Sequence, residues 1–272
     1  MKDVNVSMNG FSYLKIGKNR VRVYARNMDA DGIPLLICNG LGQAVEMLFP
    51  LMDELGDRPI ISFDAIGVGR SSVPKGHQTT IPEHADAVAD MLDQLGIEQV
   101  DLLGISWGGA VSQQFVHSYP ERVRRLILSI TSPGGILTWW GTPIAISEIL
   151  FPMRYSNKLY GNFIGPLMYG GEALLAPSMF AEYSRRAIKP NYYGYIAQVN
   201  AMCSWTSIPF LREIEHPTQI IGGTFDALIP LPNQIALAEM IPNAQLKVYP
   251  AGHLLMYSLR EEVGELIKRF LA

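Results

Sequence analysis

Charge is scarce in this chain. Of its 272 residues only 17% are Asp, Glu, Lys or Arg, against 48% hydrophobic. Roughly 25% charged is usual for a globular domain. Intrinsic disorder, which needs much charge and few apolar groups, is excluded. Neither sign dominates: 22 basic and 25 acidic residues leave a net charge of −3. The basic footprint of a nucleic-acid-binding protein is missing, and so is a polybasic membrane anchor. Cysteine is almost absent. Cys38 and Cys203 form neither a metal-binding spacing nor a disulfide framework, so both are expected to be core thiols in a reducing compartment. No long hydrophobic run occurs. The most apolar stretch, from Ile136 to Phe151, is broken by Pro143 and Glu148 and is too short for a membrane span of about 20 residues. The polar start Met1-Lys2-Asp3-Val4-Asn5 has no apolar signal core. A cytoplasmic protein is expected.

What is present is alternation. Six short runs rich in Ile, Leu and Val read as buried parallel strands: Pro34–Cys38, Pro59–Phe63, Val100–Gly104, Leu126–Ile130, Gln219–Gly222 and Leu246–Tyr249. Helix-period segments separate them. Thr80 and Glu83 form a capping box before Ile81, Ala85, Val88, Leu92 and Leu95, and Gly96 ends that helix. Ser258 and Glu261 read as a second box opening a C-terminal helix. Phe11–Ile16 and Val21–Ala25 follow each other without a helix, as an antiparallel edge hairpin would. The expected fold is α/β, with a mostly parallel central sheet and helices on both faces.

Residues 132–208 break the rhythm. They hold half of the chain's aromatic residues and only eight charges. Such a segment must cover apolar surface, and insertions in α/β sheets sit at the ligand-binding ends of strands. It is expected to be a helical cap over a pocket, inserted into a core made of residues 1–131 and 209–272.

The chemistry centres on Gly104-Ile105-Ser106-Trp107-Gly108. G-x-S-x-G is weak as a bare pattern. Here it follows a strand and precedes a helix carrying Val111, Phe115 and Tyr119, the placement a nucleophile elbow requires. Small neighbours allow the tight turn, and the helix N-terminus favours developing negative charge. A serine nucleophile needs a base. His253, in Ala251-Gly252-His253 after the last strand, stands where parallel-sheet sites gather. His84 is expected on a helix surface, His117 and His216 as satisfied or solvated, and His77 in a polar loop. Asp226 follows the strand Gln219–Gly222 and completes the chain order Ser, Asp, His. Its competitor, Asp64, is expected to fix its own loop, with Arg70 as its partner. The tetrahedral oxyanion needs donors. The backbone N–H of Trp107 supplies one, and Leu41 in Asn39-Gly40-Leu41-Gly42 the other.

These residues resemble the α/β-hydrolase superfamily over essentially the whole chain. Within it, they are most similar to intracellular medium-chain-length poly(3-hydroxyalkanoate) depolymerases. The likeness rests on Ile37–Gly42, Phe63–Ser72, Gly104–Gly109 with Gln113-Gln114-Phe115, Ser204–Ile208, and Asp226–Leu231 with Gly252-His253-Leu254. Asn39 stands where most of the superfamily has histidine, as it does in the depolymerase-like members. The resemblance implies Ser106, Asp226 and His253 as nucleophile, acid and base, with no metal and no cofactor. It implies a serine carboxylic ester hydrolase acting on apolar acyl esters, with an ester small molecule or a hydrophobic polyester as substrate. Asn39, Gly40, Trp139, Trp140 and Trp205 are the candidate substrate contacts, and a polymer granule is a candidate docking surface. A small-molecule esterase or lactonase, a carbon–carbon bond hydrolase, a perhydrolase and a non-catalytic binding protein share the same elbow and stay open.

Overall fold

The computed structural model describes residues 9–74, 78–135 and 138–272. In it the apolar runs become the centre of one eight-stranded sheet. The strands are β1 (Gly10–Ile16), β2 (Asn19–Arg26), β3 (Leu35–Cys38), β4 (Ile60–Phe63), β5 (Val100–Ile105), β6 (Val123–Ser129), β7 (Thr218–Gly223) and β8 (Ala244–Tyr249). Their spatial order is β1-β2-β4-β3-β5-β6-β7-β8. β1 and β2 form the expected antiparallel hairpin, β2 runs antiparallel to β4, and every remaining pair is parallel.

Alternation along the strands builds two cores. Leu36, Ile61, Leu102, Leu128 and Ile220 face one side. There they meet Val88 and Leu92 of α2 (Ile81–Leu95), Val111 and Phe115 of α3 (Trp107–Ser118) and Leu237 of α9 (Pro232–Met240). Leu35, Ile37, Ile60, Leu103, Ile127 and Ile221 face the other. They meet α1 (Phe49–Glu54), α10 (Leu255–Ser258) and α11 (Arg260–Leu271). Each such side chain contributes about 1.5–3 kcal/mol relative to exposure. β8 departs from expectation. As the edge strand it has one neighbour, and none of its residues is fully buried.

The Thr80–Glu83 box forms, and Gly96 closes α2 in the left-handed region at φ 68°. The second box does not. Ser258 closes α10 and its hydroxyl donates back to the Leu254 carbonyl, while α11 starts at Arg260 behind Leu259 without a side-chain cap.

Among the described residues, five α-helices separate β6 from β7: α4 (Pro143–Leu150), α5 (Lys158–Tyr169), α6 (Glu172–Leu175), α7 (Pro177–Arg186) and α8 (Tyr192–Cys203). Thr142, Asn157 and Asn191 cap three of them by accepting from first-turn amides. Met168, Tyr169, Phe180 and Tyr183 from this segment pack with Met47, Leu228, Leu254 and Tyr257 in a third apolar cluster. Among the described residues, no helix is long and apolar enough to cross a membrane.

Candidate active site

β5 delivers Ser106 into a sharp turn at the start of α3. The serine has φ 52° and ψ −117°, with a positive φ that non-glycine residues rarely adopt. The turn is held on both sides. The Ser106 N–H donates to the Ser129 carbonyl at 2.9 Å, and the Ser106 carbonyl accepts from Gly109 N–H at 2.8 Å and from the Thr131 hydroxyl at 2.7 Å. Gly108 makes room for it. A Cβ there would lie 2.1 Å from the Cys38 carbonyl oxygen, so α3 can approach β3 only through glycine.

Three sequence-predicted side chains converge. Ser106 Oγ lies 3.0 Å from His253 Nε2, and His253 Nδ1 lies 2.7 Å from Asp226 Oδ2. The second carboxylate oxygen of Asp226 accepts from the Leu228 and Ile229 amides, both at 2.8 Å, which fixes its orientation. With Nδ1–H donating to the carboxylate, Nε2 is left to accept the serine proton. All three lie at the C-terminal ends of β5, β7 and β8, where their loops meet.

The loop after β3 faces Ser106. Asn39 Oδ1 accepts from Gly40 N–H at 2.8 Å, and its Nδ2 donates to the Ala44 carbonyl at 3.0 Å. Asn39 thereby shapes the loop that presents Leu41. Among the described residues, neither the Leu41 nor the Trp107 main-chain N–H has an acceptor. Both residues line a cavity of about 480 Å³ that also contains Ser106 and His253. Its walls are mainly apolar, with Ile149, Met168, Val199 and Leu228 among them.

The tryptophans divide. Trp139 and Trp140 line the cavity while remaining 50% and 62% exposed, as residues at its mouth would. Trp205 does not line it. Its indole N–H donates to Gln114 Oε1 at 2.9 Å and its ring packs with Phe210 in the core. Cys38 is a buried thiol, pushed up to about 12 by burial, but Cys203 is exposed and lines the cavity, contrary to the core position expected of it.

Other candidates are engaged elsewhere. Asp64 accepts from Arg22 Nε at 2.7 Å and from the amides of Val45 and Arg70, so the side-chain partner is Arg22 and not Arg70. His117 stacks on Phe210, and His216 bonds the Pro120 carbonyl. His77 lies outside the described residues. His84 is buried, not on the surface, edge-on to the Trp107 ring at 4.8 Å, and burial lowers it to about 4.

The structure adds residues that sequence reasoning missed. Gln198, fully buried on α8, accepts from Gly42 N–H through its side chain at 2.9 Å. Its carbonyl accepts from the Trp107 indole at 3.1 Å. One residue of α8 therefore ties together both segments that carry the free amides. Tyr169 supports His253 from α5. Its carbonyl accepts from His253 N–H at 2.8 Å and its ring lies parallel to the imidazole. The next residues complete the brace, since Gly170 bridges Asp226 and Glu172 accepts from Gly252 N–H. The Gly170-Gly171 pair was the visible signal, because a Cβ on Gly171 would sit 2.2 Å from Gly252 N.

Comparison with known proteins shows the family and the fold. Residues 33–258 match the family described as alpha/beta hydrolase fold. The chain is 37% identical over 262 residues to a poly(3-hydroxyalkanoate) depolymerase of Ectopseudomonas oleovorans, covering 96% of this chain and 92% of that protein. It is 30% identical over 261 residues to a 2-hydroxymuconate semialdehyde hydrolase of Pseudomonas putida, covering 89% and 88%. Among solved structures, a hydrolase from Pseudomonas aeruginosa superposes with a TM-score of 0.80 at 25% identity, covering 98% of this chain and 100% of that one.

Proposed function

Because the chain belongs to the α/β-hydrolase fold family, we propose that it is a serine hydrolase of carboxylic esters with apolar acyl groups. The observation that carries the reading is the hydrogen-bonded line Ser106–His253–Asp226 opening into an apolar cavity. Ser106 Oγ attacks the ester carbonyl while His253 Nε2 takes its proton. The amides of Leu41 and Trp107 receive the oxyanion. The C–O bond breaks, the alcohol leaves with the proton from His253, and water then cleaves the acyl-enzyme by the same route.

The 37% identical relative supports a 3-hydroxyalkanoate polyester as the acyl source. We assign residues 132–208 as the cap that shapes this pocket and residues 1–131 and 209–272 as the catalytic core. Most of the large apolar side chains exposed among the described residues fall between Trp139 and Tyr193, including Phe151, Leu159, Phe163 and Leu175. These exposed side chains support docking on a hydrophobic polymer granule. Co-sedimentation with granules no greater than that of an unrelated hydrolase would dispose of it.

The test compares wild type with Ser106→Ala on p-nitrophenyl esters of rising chain length and on polyhydroxyalkanoate latex. Hydrolysis of both is expected, best at medium chains, with losses of about 10³-fold or more in the variant. Full activity in Ser106→Ala would refute the mechanism. The 30% identical relative favours a second reading, carbon–carbon bond hydrolysis at the same triad. Serine-dependent turnover of a ring-cleavage product, with no ester turnover, would select it.

A further inference from the structure

Several polar side chains that line the catalytic cavity are already committed. Asn39 uses both ends of its amide inside its own loop. Ser132 Oγ accepts from Gly134 N–H, and Arg154 engages Glu148 and Tyr195. The Thr138 and Tyr257 hydroxyl oxygens are enclosed by protein and offer no surface to a ligand.

Gln43 differs. It lines the same cavity as Ser106 and His253. Its Nε2 donates to the Tyr183 hydroxyl at 2.6 Å, and the Tyr183 ring is buried edge-on to Tyr169. That contact fixes which way the amide points. The other end, Oε1, accepts from none of the described residues, yet it keeps accessible surface. It stands beside Ser106. A Cβ on Gly40 would lie 3.4 Å from Gln43 Oε1 and 3.7 Å from Ser106 Cβ, so the amide carbonyl and the serine border one small space that glycine leaves open. A neutral carbonyl there suits a hydroxyl donor and not an anion, and Met47, Leu48 and Leu51 on the same walls suit an alkyl chain. On an acyl carbon bonded to Ser106 Oγ, a hydroxyl on C2 or C3 stands two or three bonds out, and a hydrogen bond of about 2.8 Å carries it to Oε1. The 3-hydroxyalkanoate acyl group of the proposed function selects C3.

We propose that Gln43 recognises a free hydroxyl on C3 of the acyl group, so that the enzyme works from the hydroxyl end of an oligoester. The inference rests on the ester-hydrolase reading. An interior unit of such a chain has its C3 oxygen acylated and offers no donor, whereas the terminal unit offers one. With that hydroxyl on Gln43 Oε1, Ser106 Oγ bonds to the carbonyl carbon of the terminal unit. The bond from this carbon to the oxygen of the next unit breaks, and that oxygen takes the proton from His253. Water then releases the terminal unit as a 3-hydroxy acid. The departing chain carries a new free hydroxyl on C3, so each cut regenerates the group that is recognised.

The test compares kcat/KM on the p-nitrophenyl esters of 3-hydroxyoctanoate, octanoate and 3-methoxyoctanoate. The methoxy ester keeps the C3 oxygen and lacks its proton. Wild type is expected to favour the hydroxy ester over both others by at least about fivefold, the worth of one neutral hydrogen bond. Gln43→Met keeps the length of the side chain and loses the acceptor, so the preference should vanish there, with octanoate turnover as the check that the site is assembled. Tyr183→Phe leaves Gln43 in place but frees its amide, and should lower the preference part of the way. If Gln43→Met fails its check, the wild-type comparison and Tyr183→Phe decide. On a trimer of 3-hydroxyoctanoate, capping the terminal hydroxyl as its methyl ether should slow monomer release by at least about fivefold. Wild-type turnover of the methoxy ester at or above that of the hydroxy ester, or a preference that survives in Gln43→Met, would overturn the proposal and leave the ester-hydrolase reading standing. No Ser106-dependent turnover of any of the three esters would overturn both.

Discussion

Ser106 is held at a backbone geometry that costs a non-glycine residue about 1–3 kcal/mol, and three hydrogen bonds keep it there. The strain belongs to the presentation of Oγ and not to the stability of the chain. Ser106→Ala keeps the strain and removes the hydroxyl, whereas Ser106→Gly removes both. The glycine variant should therefore be about 1 kcal/mol more stable than the alanine variant in denaturant unfolding, even after the extra backbone entropy of glycine. Equal stabilities would show that the turn stores no strain. Gly108 makes the opposite prediction. A methyl group there meets the backbone carbonyl of Cys38, which no rotamer can vacate. Gly108→Ala should lose at least about 2 kcal/mol and lower kcat, because α3 must shift and carry the Trp107 amide with it. A variant with wild-type melting and activity would contradict the close approach.

Among the elements, α8 has the most specific relation to the chemistry. It touches the core at Gly194 against Gly67, at Tyr195 against Gly42, and at Gln198, whose two acceptors hold Gly42 and the Trp107 ring. Gln198 braces the segments that carry the proposed oxyanion donors without lining the cavity. Gln198→Met keeps the volume but loses the acceptor for Gly42 N–H. A direct oxyanion donor is worth about 10²–10³ in kcat, and an indirect brace should be worth less. The expected loss is about 10- to 100-fold in kcat, with KM nearly unchanged. Gln198→Glu, which keeps an acceptor oxygen, should recover most of it. A change confined to KM, or equal losses in both variants, would leave Gln198 only a packing role. Nothing in the local sequence around Gln198 announces this, because its partners lie 156 and 91 positions away. The Thr80–Glu83 box was legible because a cap is a contact within one turn. The Ser258 box used the same residue types and failed, because the short helix ending at Ser258 took that serine into its own last turn.

For the molecule as a whole, the sheet was readable because buried parallel strands leave unbroken Ile, Leu and Val runs, and the meeting of Ser106, Asp226 and His253 because each stands just after one of them. What could not be read was which polar residues the packing encloses. Arg22, Gln198 and His84 are all buried, and each looks like an ordinary surface residue of a strand or helix in the sequence. His84 has a consequence for the entire fold. Its ring is buried edge-on to the Trp107 indole, and among the described residues its hydrogen-bond partner is the Thr79 hydroxyl at 3.1 Å. Burial disfavours the imidazolium and lowers the group from 6.5 to about 4. The unfolded chain therefore takes up this proton below about pH 6.5, while the native chain resists it until about pH 4. Wherever the unfolded state binds more protons, stability rises with pH. The contribution is fully present above pH 6.5, declines as pH falls, and is gone near pH 4. At about 1.4 kcal/mol per unit, the loss approaches about 3 kcal/mol, a large fraction of the 5–15 kcal/mol that holds a typical domain together. Carboxylates titrate in the lower part of the same window, so the comparison must be with His84→Gln, which removes only the imidazole. Urea unfolding of the two proteins at pH 7.5, 5.5 and 4.5 should give a stability difference that shifts toward the variant as pH falls, by about 1 kcal/mol or more by pH 5.5. Parallel curves would mean that His84 takes up its proton within the native fold at no cost, and that the enclosure around Trp107 opens to admit water.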